Sequence, residues 1–242
     1  MLSRTHVAEL LKQTQHRADV PIPRSPWLGY QRWQDTCFAH WRVNLAGLRS
    51  AVPAQLELDT HDSCAWVTIT PLRIPESRPR GTPISVPCAE VNFRTYVRYR
   101  GIPGIYFFSL DCNSILSVIG ARTLYALPYL HADIAFVHDE TYAFSCTRES
   151  GDATLYARFT PDPRAGTAED PLSQWLTQRF CLYTVRFGRV WRGTIHHLPW
   201  HLQCAQADMS ATGFGFGVSS RAPDFAHIGD PQDVLIWPPL PA

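Results

Sequence analysis

From Trp33 onward, the chain consists of short apolar and aromatic runs that are separated by turn residues. Two of these runs, 90–99 and 105–110, flank the turn sequence Gly-Ile-Pro-Gly at 101–104. Runs of this length and composition, separated by regular turn signals, predict β-strands. A chain of 242 residues that is built mainly of strands can form a single domain with a large core. The sequence therefore predicts a mainly β (α+β) fold.

A few helices are also predicted. Apolar residues at helical spacing indicate a helix over about 113–126. A second helix is predicted to begin at Asp170, a favoured N-cap, with Pro171 in its first turn. Five prolines in 71–87 predict a long loop. Further strands are predicted at 132–138, 141–148, 153–160, 182–192, 194–206 and 212–219.

The N-terminal residues differ in character from the rest. Residues 5–17 have a narrow apolar stripe, so either a helix docked on the body or a loose extension agrees with the pattern. Three prolines in 20–26 predict an extended linker. We therefore expect an N-terminal extension with a proline-rich linker over 1–32, followed by one domain over 33–242.

Charge and cysteine content narrow the class of protein. Charged residues are 18% and the net charge is +1, which gives no indication of a nucleic-acid partner or an acidic membrane surface. The seven cysteines include no Cys-x-x-Cys pair, which argues against a disulfide framework and a zinc ribbon. Arg4, His6 and Glu9 precede any apolar run, and the apolar stretches are too short to span a membrane. We expect a soluble cytoplasmic protein, and the sequence does not indicate its oligomeric state.

The strand predicted at 90–99 carries a row of polar side chains. Successive side chains of a strand point to opposite faces. This alternation places on one face Glu90, Asn92, Arg94, Tyr96 and Arg98. The row belongs either to a sheet surface in water or to an internal cavity, and the segment alone leaves both possibilities open.

Two arginines fall on apolar faces of the predicted helices. Arg122 projects near the centre of the stripe of the first helix, and Arg179 does the same in the second. A guanidinium keeps its charge inside a protein, so each needs a carboxylate, an anionic ligand or a route to water. Ion pairs with Glu90, Asp111 or Asp133, or snorkelling to the helix edge, are alternatives to a substrate clamp. Two such arginines in one domain favour an internal polar site.

Histidine and glycine motifs do not indicate a metal or a nucleotide cofactor. Pro199 argues against a helix, and in a strand His197 and His201 lie roughly 13 Å apart, too far to bind one zinc ion. Either histidine could act alone in acid–base chemistry, although a structural role is favoured. Residues 213–217 alternate glycine and phenylalanine without a following helix, so they are not a dinucleotide fingerprint. Asp111 is predicted to be the N-cap of the first helix. We expect no metal and no cofactor.

Several short sequence motifs together resemble one family. They are FAHW (38–41), LELD (56–59), EVNFRTYV (90–97), YFFSLD (106–111), AR (121–122), LPY (127–129) and HLPW (197–200). In content and order they resemble the YqjF-like proteins, a domain of unknown function. The resemblance covers roughly 33–237. That family is similar to the acetoacetate decarboxylase-like superfamily, which implies a closed, cone-like β-barrel with a few helices.

The remote similarity also suggests where a site lies. In the decarboxylases, a strand glutamate is followed by a helix arginine and a Pro-Lys pair, whose first lysine forms a Schiff base. Glu90, Arg122 and Pro128 match the glutamate, the arginine and the proline, whereas Tyr129 and Leu130 occupy the lysine positions. Tyrosine cannot form an imine, and the one lysine of the chain, at position 12, lies outside the domain. We therefore expect no Schiff-base decarboxylase activity.

These observations predict an internal polar pocket with two alternative uses. The residues expected to bind a ligand are Glu90, Arg94, Arg122, Tyr129, His131 and Arg179. One use is non-catalytic binding of a small anionic or carbonyl metabolite. The other is an enzyme that acts on a small carbonyl or carboxylate compound, with Glu90 or Tyr129 as the acid–base group and an arginine holding the anion. Binding is favoured, because the sequence contains no visible nucleophile–base pair or metal cluster.

Overall fold

Fifteen strands and four α-helices occur in residues 4–242, the part of the chain that the computed structural model describes. The strands are β1 (Gly29–Gln34), β2 (Thr36–Val43), β3 (Glu57–Leu58), β4 (Ala65–Pro79), β5 (Cys88–Tyr99), β6 (Ile102–Cys112), β7 (Tyr129–His138), β8 (Tyr142–Arg148), β9 (Thr154–Pro161), β10 (Cys181–Arg186), β11 (Arg189–His196), β12 (Leu202–Thr212), β13 (Phe225–Gly229), β14 (Gln232–Ile236) and β15 (Leu240–Pro241). The helices are α1 (Arg4–Lys12), α2 (Leu45–Ala51), α3 (Ile115–Tyr125) and α4 (Pro171–Thr177). Within the described range, no helix combines the length and the apolar character needed to cross a bilayer.

The strands form one continuous sheet that closes on itself. Its order is β1-β14-β11-β10-β6-β7-β8-β9-β12-β13-β2-β4-β5-β3, and β15 pairs with β11. Strand β4 also pairs with β1, and β5 also pairs with β6, so the two ends of the row are joined into a ring. Most pairs are antiparallel, but β6 is parallel to both β7 and β10, and α3 forms the crossover from β6 to β7. The expected mainly β fold is confirmed.

Strand β4 runs through much of the segment that was predicted to be a loop. Strand β2 pairs with it up to Ile69, and β1 pairs with it from Arg73 onward. Pro71 lies where the strand beside β4 changes from β2 to β1. Its missing N–H therefore interrupts no hydrogen-bonded strand pair on that side of β4. The loop prediction over 71–87 is therefore wrong for the residues that belong to β4.

The predicted strand 182–192 is in fact the hairpin of β10 and β11. The two strands pair around the turn residues Phe187 and Gly188, which both have positive φ angles. Two-residue turns of this type usually have the sequence Asn-Gly, and a phenylalanine in the first position conceals the turn. The sequence prediction missed the turn for this reason.

Two further strand predictions need correction near the C-terminus. The segment 194–206 is interrupted between β11 and β12, where Pro199 cannot donate to a ladder. The segment 212–219 is a loop that ends in a short 3-10 helix at Val218–Ser220. Its glycines at 213 and 217 have positive φ angles, which break an extended strand.

The main core lies inside the ring. Its largest fully buried side chains include Trp41, Tyr183, Phe144 and Phe159, which come from strands on different sides of the ring. All seven cysteines are free thiols, as the absence of paired spacings suggested. Each large side chain buried in this way contributes about 1.5–3 kcal/mol of hydrophobic stabilisation.

The helix α1 is docked on the body. Leu10 is buried in a separate cluster with Tyr30, Leu235 and Trp237. The buried guanidinium of Arg17 donates hydrogen bonds to the backbone carbonyls of residues 20 and 195. Of the two alternatives for this segment, the docked helix is the one observed, while the domain boundary at residue 32 stays a prediction.

Candidate functional site

A cavity of ≈ 400 Å³ lies inside the ring of strands. Strands β1, β2, β4, β5 and β6 contribute to its wall, together with the inner side of α3. Much of the wall is apolar, with Phe38, Leu72, Ile74, Phe107 and Trp200 among the lining residues. A mostly apolar cavity of this size with a few polar groups is typical of a small-molecule binding site.

Two of the predicted residues meet on the wall of this cavity. Glu90 is buried on β5, and Tyr129 is the first residue of β7. The parallel crossover from β6 through α3 brings Tyr129 beside Glu90, although 39 residues separate them. The hydroxyl of Tyr129 donates to Oε2 of Glu90 at 2.6 Å, and Nδ2 of Asn92 donates to Oε1 at 3.4 Å. The two residues are therefore a directly hydrogen-bonded pair.

Burial changes the acidity of both members of this pair. It raises the pKa of Glu90 to about 7, although the hydrogen bonds from Tyr129 and Asn92 act in the opposite direction. Burial, followed by the negative charge of Glu90, raises the pKa of Tyr129 well above its ordinary value. At neutral pH, Tyr129 keeps its proton, while the carboxyl of Glu90 exchanges its proton readily. A group with a pKa near the working pH suits general acid–base chemistry.

Replacing Tyr129 by phenylalanine should raise the pKa of Glu90 above about 7. The lost hydroxyl stabilises the charged carboxylate, and a hydrogen bond to a charged group is worth about one pKa unit. The measurement is an infrared or NMR titration of the Glu90 carboxyl. Tyr125→Phe is the matched control, because Tyr125 also lines the cavity but its hydroxyl donates to the backbone carbonyl of Trp237. An unchanged or lower pKa of Glu90 in Tyr129→Phe would contradict the assignment.

Arg94 is a buried cation that has no carboxylate partner in residues 4–242. It lies on the same face of β5 as Glu90 and lines the cavity. Its Nε and Nη2 atoms have no hydrogen-bond partner there, and its guanidinium lies 5.5 Å from the ring centre of Phe38. Burial lowers the pKa of Arg94, with an opposing interaction from Tyr96. The group still remains charged, because arginine is not deprotonated in proteins.

Arg179, in contrast, is already paired. Its Nη1 donates to Oδ2 of Asp59 at 2.6 Å, and Arg98 donates to the other oxygen of the same carboxylate. The guanidinium lies 4.4 Å from the ring centre of Trp175. An ion pair was one of the alternatives expected for Arg179. The expected partners were Glu90, Asp111 or Asp133, and not Asp59. The Nη2 atom of Arg179 has no partner in the described residues, and the side chain lines the cavity.

Unsatisfied polar atoms concentrate on the cavity wall. Apart from Nη2 of Arg78, which lies against the carboxylate of Glu76, six buried side-chain atoms of lining residues lack a hydrogen-bond partner within the described part of the chain, namely Oγ1 of Thr36, Oγ1 of Thr70, Oδ1 of Asn92, Nε and Nη2 of Arg94, and Nη2 of Arg179. Buried polar atoms are rarely left unpaired, because each costs about 1–3 kcal/mol. Their concentration in one cavity is what a binding site for a polar ligand requires.

Arg122 occupies a different position from the one predicted. The apolar residues Ile115 and Ile119 of α3 are 52–56% exposed, whereas Leu116, Leu124 and small residues such as Gly120 line the cavity. Val118 is the one buried residue of α3, so the apolar stripe of this helix is not a core face. Arg122 is exposed, and its Nε donates to the backbone carbonyl of Tyr129 at 2.6 Å. The prediction that Arg122 lies in a buried stripe is wrong, and the residue does not line the cavity.

Two other polar residues also lie away from the cavity. His131 is partly exposed, with Nδ1 3.2 Å from the carboxylate of Glu149. Asp111 is buried and accepts hydrogen bonds from the guanidinium of Arg148. The N-cap of α3 is Ser114 and not Asp111, so that prediction is wrong. Neither residue is among those that line the cavity.

The cavity includes residues that the sequence did not single out as ligands. His197 is buried and lines the wall beside Trp200. Its Nδ1 lies 2.6 Å from the carbonyl of residue 198, and burial lowers its pKa to about 3, so the ring is neutral. The HLPW motif at 197–200, one of the motifs in the family resemblance, indicated this position. Thr36 and Thr70 had no such local signal, because only the ring closure turns them inward.

Comparisons with known proteins agree with this architecture. Residues 30–228 match the family DUF2071, which is described as an uncharacterized conserved protein. The chain is 40% identical over 230 residues to the uncharacterized protein YqjF of Bacillus subtilis (strain 168). The aligned region covers 91% of this chain and 95% of YqjF. Identity at this level over nearly the whole length establishes the family.

Solved structures with low sequence identity share the fold. The acetoacetate decarboxylase of Legionella pneumophila has a TM-score of 0.65 at 13% identity, with 93% of each chain covered. An acetoacetate decarboxylase-like enzyme of Sphingomonas wittichii RW1 has a TM-score of 0.64 at 10% identity, covering 90% of this chain and 95% of that one. The enduracididine biosynthesis enzyme MppR, complexed with pyruvate, has a TM-score of 0.60 at 11% identity, covering 89% and 90%. The chain therefore belongs to the YqjF-like family DUF2071 and has the acetoacetate decarboxylase-like fold.

Proposed function

We propose that the cavity binds a small organic acid, and that Arg94 holds its carboxylate without Schiff-base chemistry. The observation that carries this proposal is the buried guanidinium of Arg94, which has two nitrogens, Nε and Nη2, without a hydrogen-bond partner and no carboxylate partner in the described chain. An unpaired charge in a low-dielectric interior costs several kcal/mol. A ligand carboxylate offsets that cost, because it accepts charge-assisted hydrogen bonds from the guanidinium.

The remaining lining suggests the rest of the ligand. Glu90, Asn92 and Arg94 alternate along β5, so the Glu90–Tyr129 pair lies roughly 13 Å along the strand from Arg94, measured between backbone positions. The apolar wall between these groups accepts a hydrocarbon or aromatic body. A carbonyl or hydroxyl on the ligand then meets Glu90 and Tyr129. The complex of MppR with pyruvate supports this proposal, since pyruvate is a small carboxylate with a carbonyl group.

The hydrogen-bonded pair also supports a second function, that of an enzyme. The pKa of Glu90 at about 7 allows it to take or give a proton near neutral pH. Tyr129, which keeps its proton, can donate a hydrogen bond to a carbonyl oxygen or to a developing oxyanion. The candidate reaction is proton transfer at a carbon or oxygen next to the ligand carbonyl, while Arg94 holds the carboxylate.

The test of binding is recovery of the natural ligand. The protein is purified natively, denatured, and its released small molecules are identified by mass spectrometry. We expect an organic acid in a stoichiometric amount, and a Glu90→Gln, Arg94→Met double variant that lacks it. Release of a compound without an acidic group would contradict the proposal. Turnover of the recovered compound by wild-type protein, but not by Glu90→Gln, would favour the enzyme.

We expect sodium borohydride to leave the cavity unlabelled in the presence of acetoacetate or a related keto acid. Reductive labelling requires an imine, and Tyr129 stands where the decarboxylases have their Schiff-base lysine. The measurement is peptide mass spectrometry after reduction, with an acetoacetate decarboxylase as the positive control. Labelling at Lys12 would report only an exposed amine, since its ammonium pairs with Glu9 on the surface. A modified residue within β5, α3 or β7 would refute the prediction.

A further inference from the structure

Exposed apolar residues and exposed arginines occur on α3 and on the β10–β11 hairpin. The apolar members on α3 are 52–66% exposed, and Phe187 at the tip of the β10–β11 hairpin is 91% exposed. We call this the α3–hairpin surface, and its members are Ile115, Leu116, Ile119, Leu124 and Phe187 with Arg122, Arg186 and Arg189. Large apolar residues exposed in this way on one surface usually mark an interaction site.

The helix and the hairpin are neighbours in space. The Oγ1 atom of Thr184 on β10 donates to the backbone carbonyl of Ala126, the C-cap of α3, at 3.1 Å. Phe187 follows three residues later, which is roughly 10 Å along an extended strand. The hairpin tip therefore lies within roughly 10 Å of the contact between β10 and the C-cap of α3, so the helix and the hairpin are neighbouring elements.

Phe187 is an unfavourable residue for its position in the fold. Its φ angle is 51°, and that of Gly188 is 74°. Turns with positive φ at both central residues favour asparagine followed by glycine, whereas a phenylalanine in this conformation is strained. The ring contacts little except the guanidinium of Arg186, at 5.1 Å. A residue that costs conformational energy without gaining burial indicates a role other than folding.

The charge of the α3–hairpin surface is one-sided. No aspartate or glutamate occurs in residues 112–132 or 171–207, the segments that contain α3, β10 and β11. The exposed arginines at 122, 186 and 189 are therefore not balanced by acidic residues of the same segments. The net charge of +1 for the whole chain hides this local asymmetry. A partner of this surface must offer negative charge together with an apolar medium.

We infer that the α3–hairpin surface docks on a bilayer that contains anionic phospholipid. The apolar residues protrude from a helix and a hairpin tip, and a bilayer receives protruding side chains without a matching pocket. In this geometry Phe187 and the apolar face of α3 enter the headgroup boundary, and the arginines contact lipid phosphates. Leu116 and Leu124 also line the cavity, so the docked surface adjoins the cavity wall. This inference does not depend on which ligand the cavity binds.

The test uses vesicle flotation with the full chain. We expect binding to phosphatidylcholine vesicles that contain phosphatidylglycerol, and loss of that binding in high salt or with phosphatidylcholine alone. Phe187→Asn should reduce binding at least about tenfold, and Arg186→Gln with Arg189→Gln by about thirtyfold. Because asparagine suits the turn, Phe187→Asn should keep or raise the melting temperature, which separates lost binding from lost folding.

The matched control is Val137→Asn, an exposed apolar residue near the far end of β7 from α3, which should bind like wild type. Absence of binding to anionic vesicles, or equal binding by Phe187→Asn, overturns the inference. A concentration-dependent dimer in sedimentation velocity that Phe187→Asn dissociates, without vesicle binding, would also overturn it, because the surface would then join two copies of the chain. Equal binding to neutral vesicles would exclude the role of the arginines.

Discussion

The Arg94→Met variant should lose its organic acid ligand and at the same time gain stability. Removing one member of a buried charge pair between protein and ligand should weaken ligand binding roughly a hundredfold or more. In the ligand-free protein, however, the guanidinium of Arg94 is a buried charge without a carboxylate partner in residues 4–242. Replacing such a charge by an apolar side chain of similar length should stabilise the fold by roughly 1–3 kcal/mol.

Two measurements separate these effects. The amount of organic acid released per mole of protein should fall, and the melting temperature of the ligand-free variant should rise by a few degrees. Arg164→Met is the matched control, because Arg164 is exposed and does not line the cavity. It should keep the ligand and gain no stability. An Arg94→Met protein that keeps its ligand, or that unfolds more easily when ligand-free, would show that Arg94 is a structural residue.

The Glu90→Gln variant should change how stability depends on pH. The pKa of Glu90 is raised from 4.5 to about 7 in the folded protein. Between these two values, the folded state binds more protons than the unfolded state, so the free energy of unfolding falls as the pH rises. The loss is complete above about pH 7 and amounts to about 3 kcal/mol for a shift of this size. Glutamine carries no such charge, so the variant should escape this loss.

Urea denaturation at several pH values between 4.5 and 8 measures this effect. The stability of Glu90→Gln relative to wild type should increase steadily across that window and then remain constant. Glu57→Gln is the control, because the side chain of Glu57 is exposed on β3, away from the cavity lining. Its curve should run parallel to that of wild type. Parallel curves for Glu90→Gln as well would mean that the carboxyl of Glu90 titrates as it does in water.

Local chemistry allowed much of the secondary structure to be predicted. Asp170 caps α4, as its residue type and the following proline indicated. The strands β5 and β6 and the helix α3 lie close to their predicted positions. Prediction failed where a neighbour in space overrides local preference. Pro71 remains in a strand because β4 changes partners there, and Phe187 turns a hairpin without the usual Asn-Gly signal.

The candidate site was predictable only in part. Alternation placed Glu90 and Arg94 on one face of β5, and the observed cavity lies on that face. The helical projection misplaced Arg122, because an apolar stripe does not show whether the rest of the fold covers it, and Ile115 and Ile119 of this stripe are exposed. Asp59, which neutralises Arg179, lies 120 residues away in the sequence. No local pattern could connect those two residues.

The sequence by itself determined the strand-rich class, the family, and the presence of a tyrosine where related decarboxylases carry a lysine, because these depend on residue type and order. Only the tertiary structure decided which polar residues share a cavity. Ring closure turned one face of β5 away from water, brought Tyr129 to Glu90, and left Arg94 without a carboxylate partner among the described residues. The pKa of a carboxyl and the cost of an unpaired guanidinium depend on solvent exclusion and on distant partners, which are properties of the folded chain.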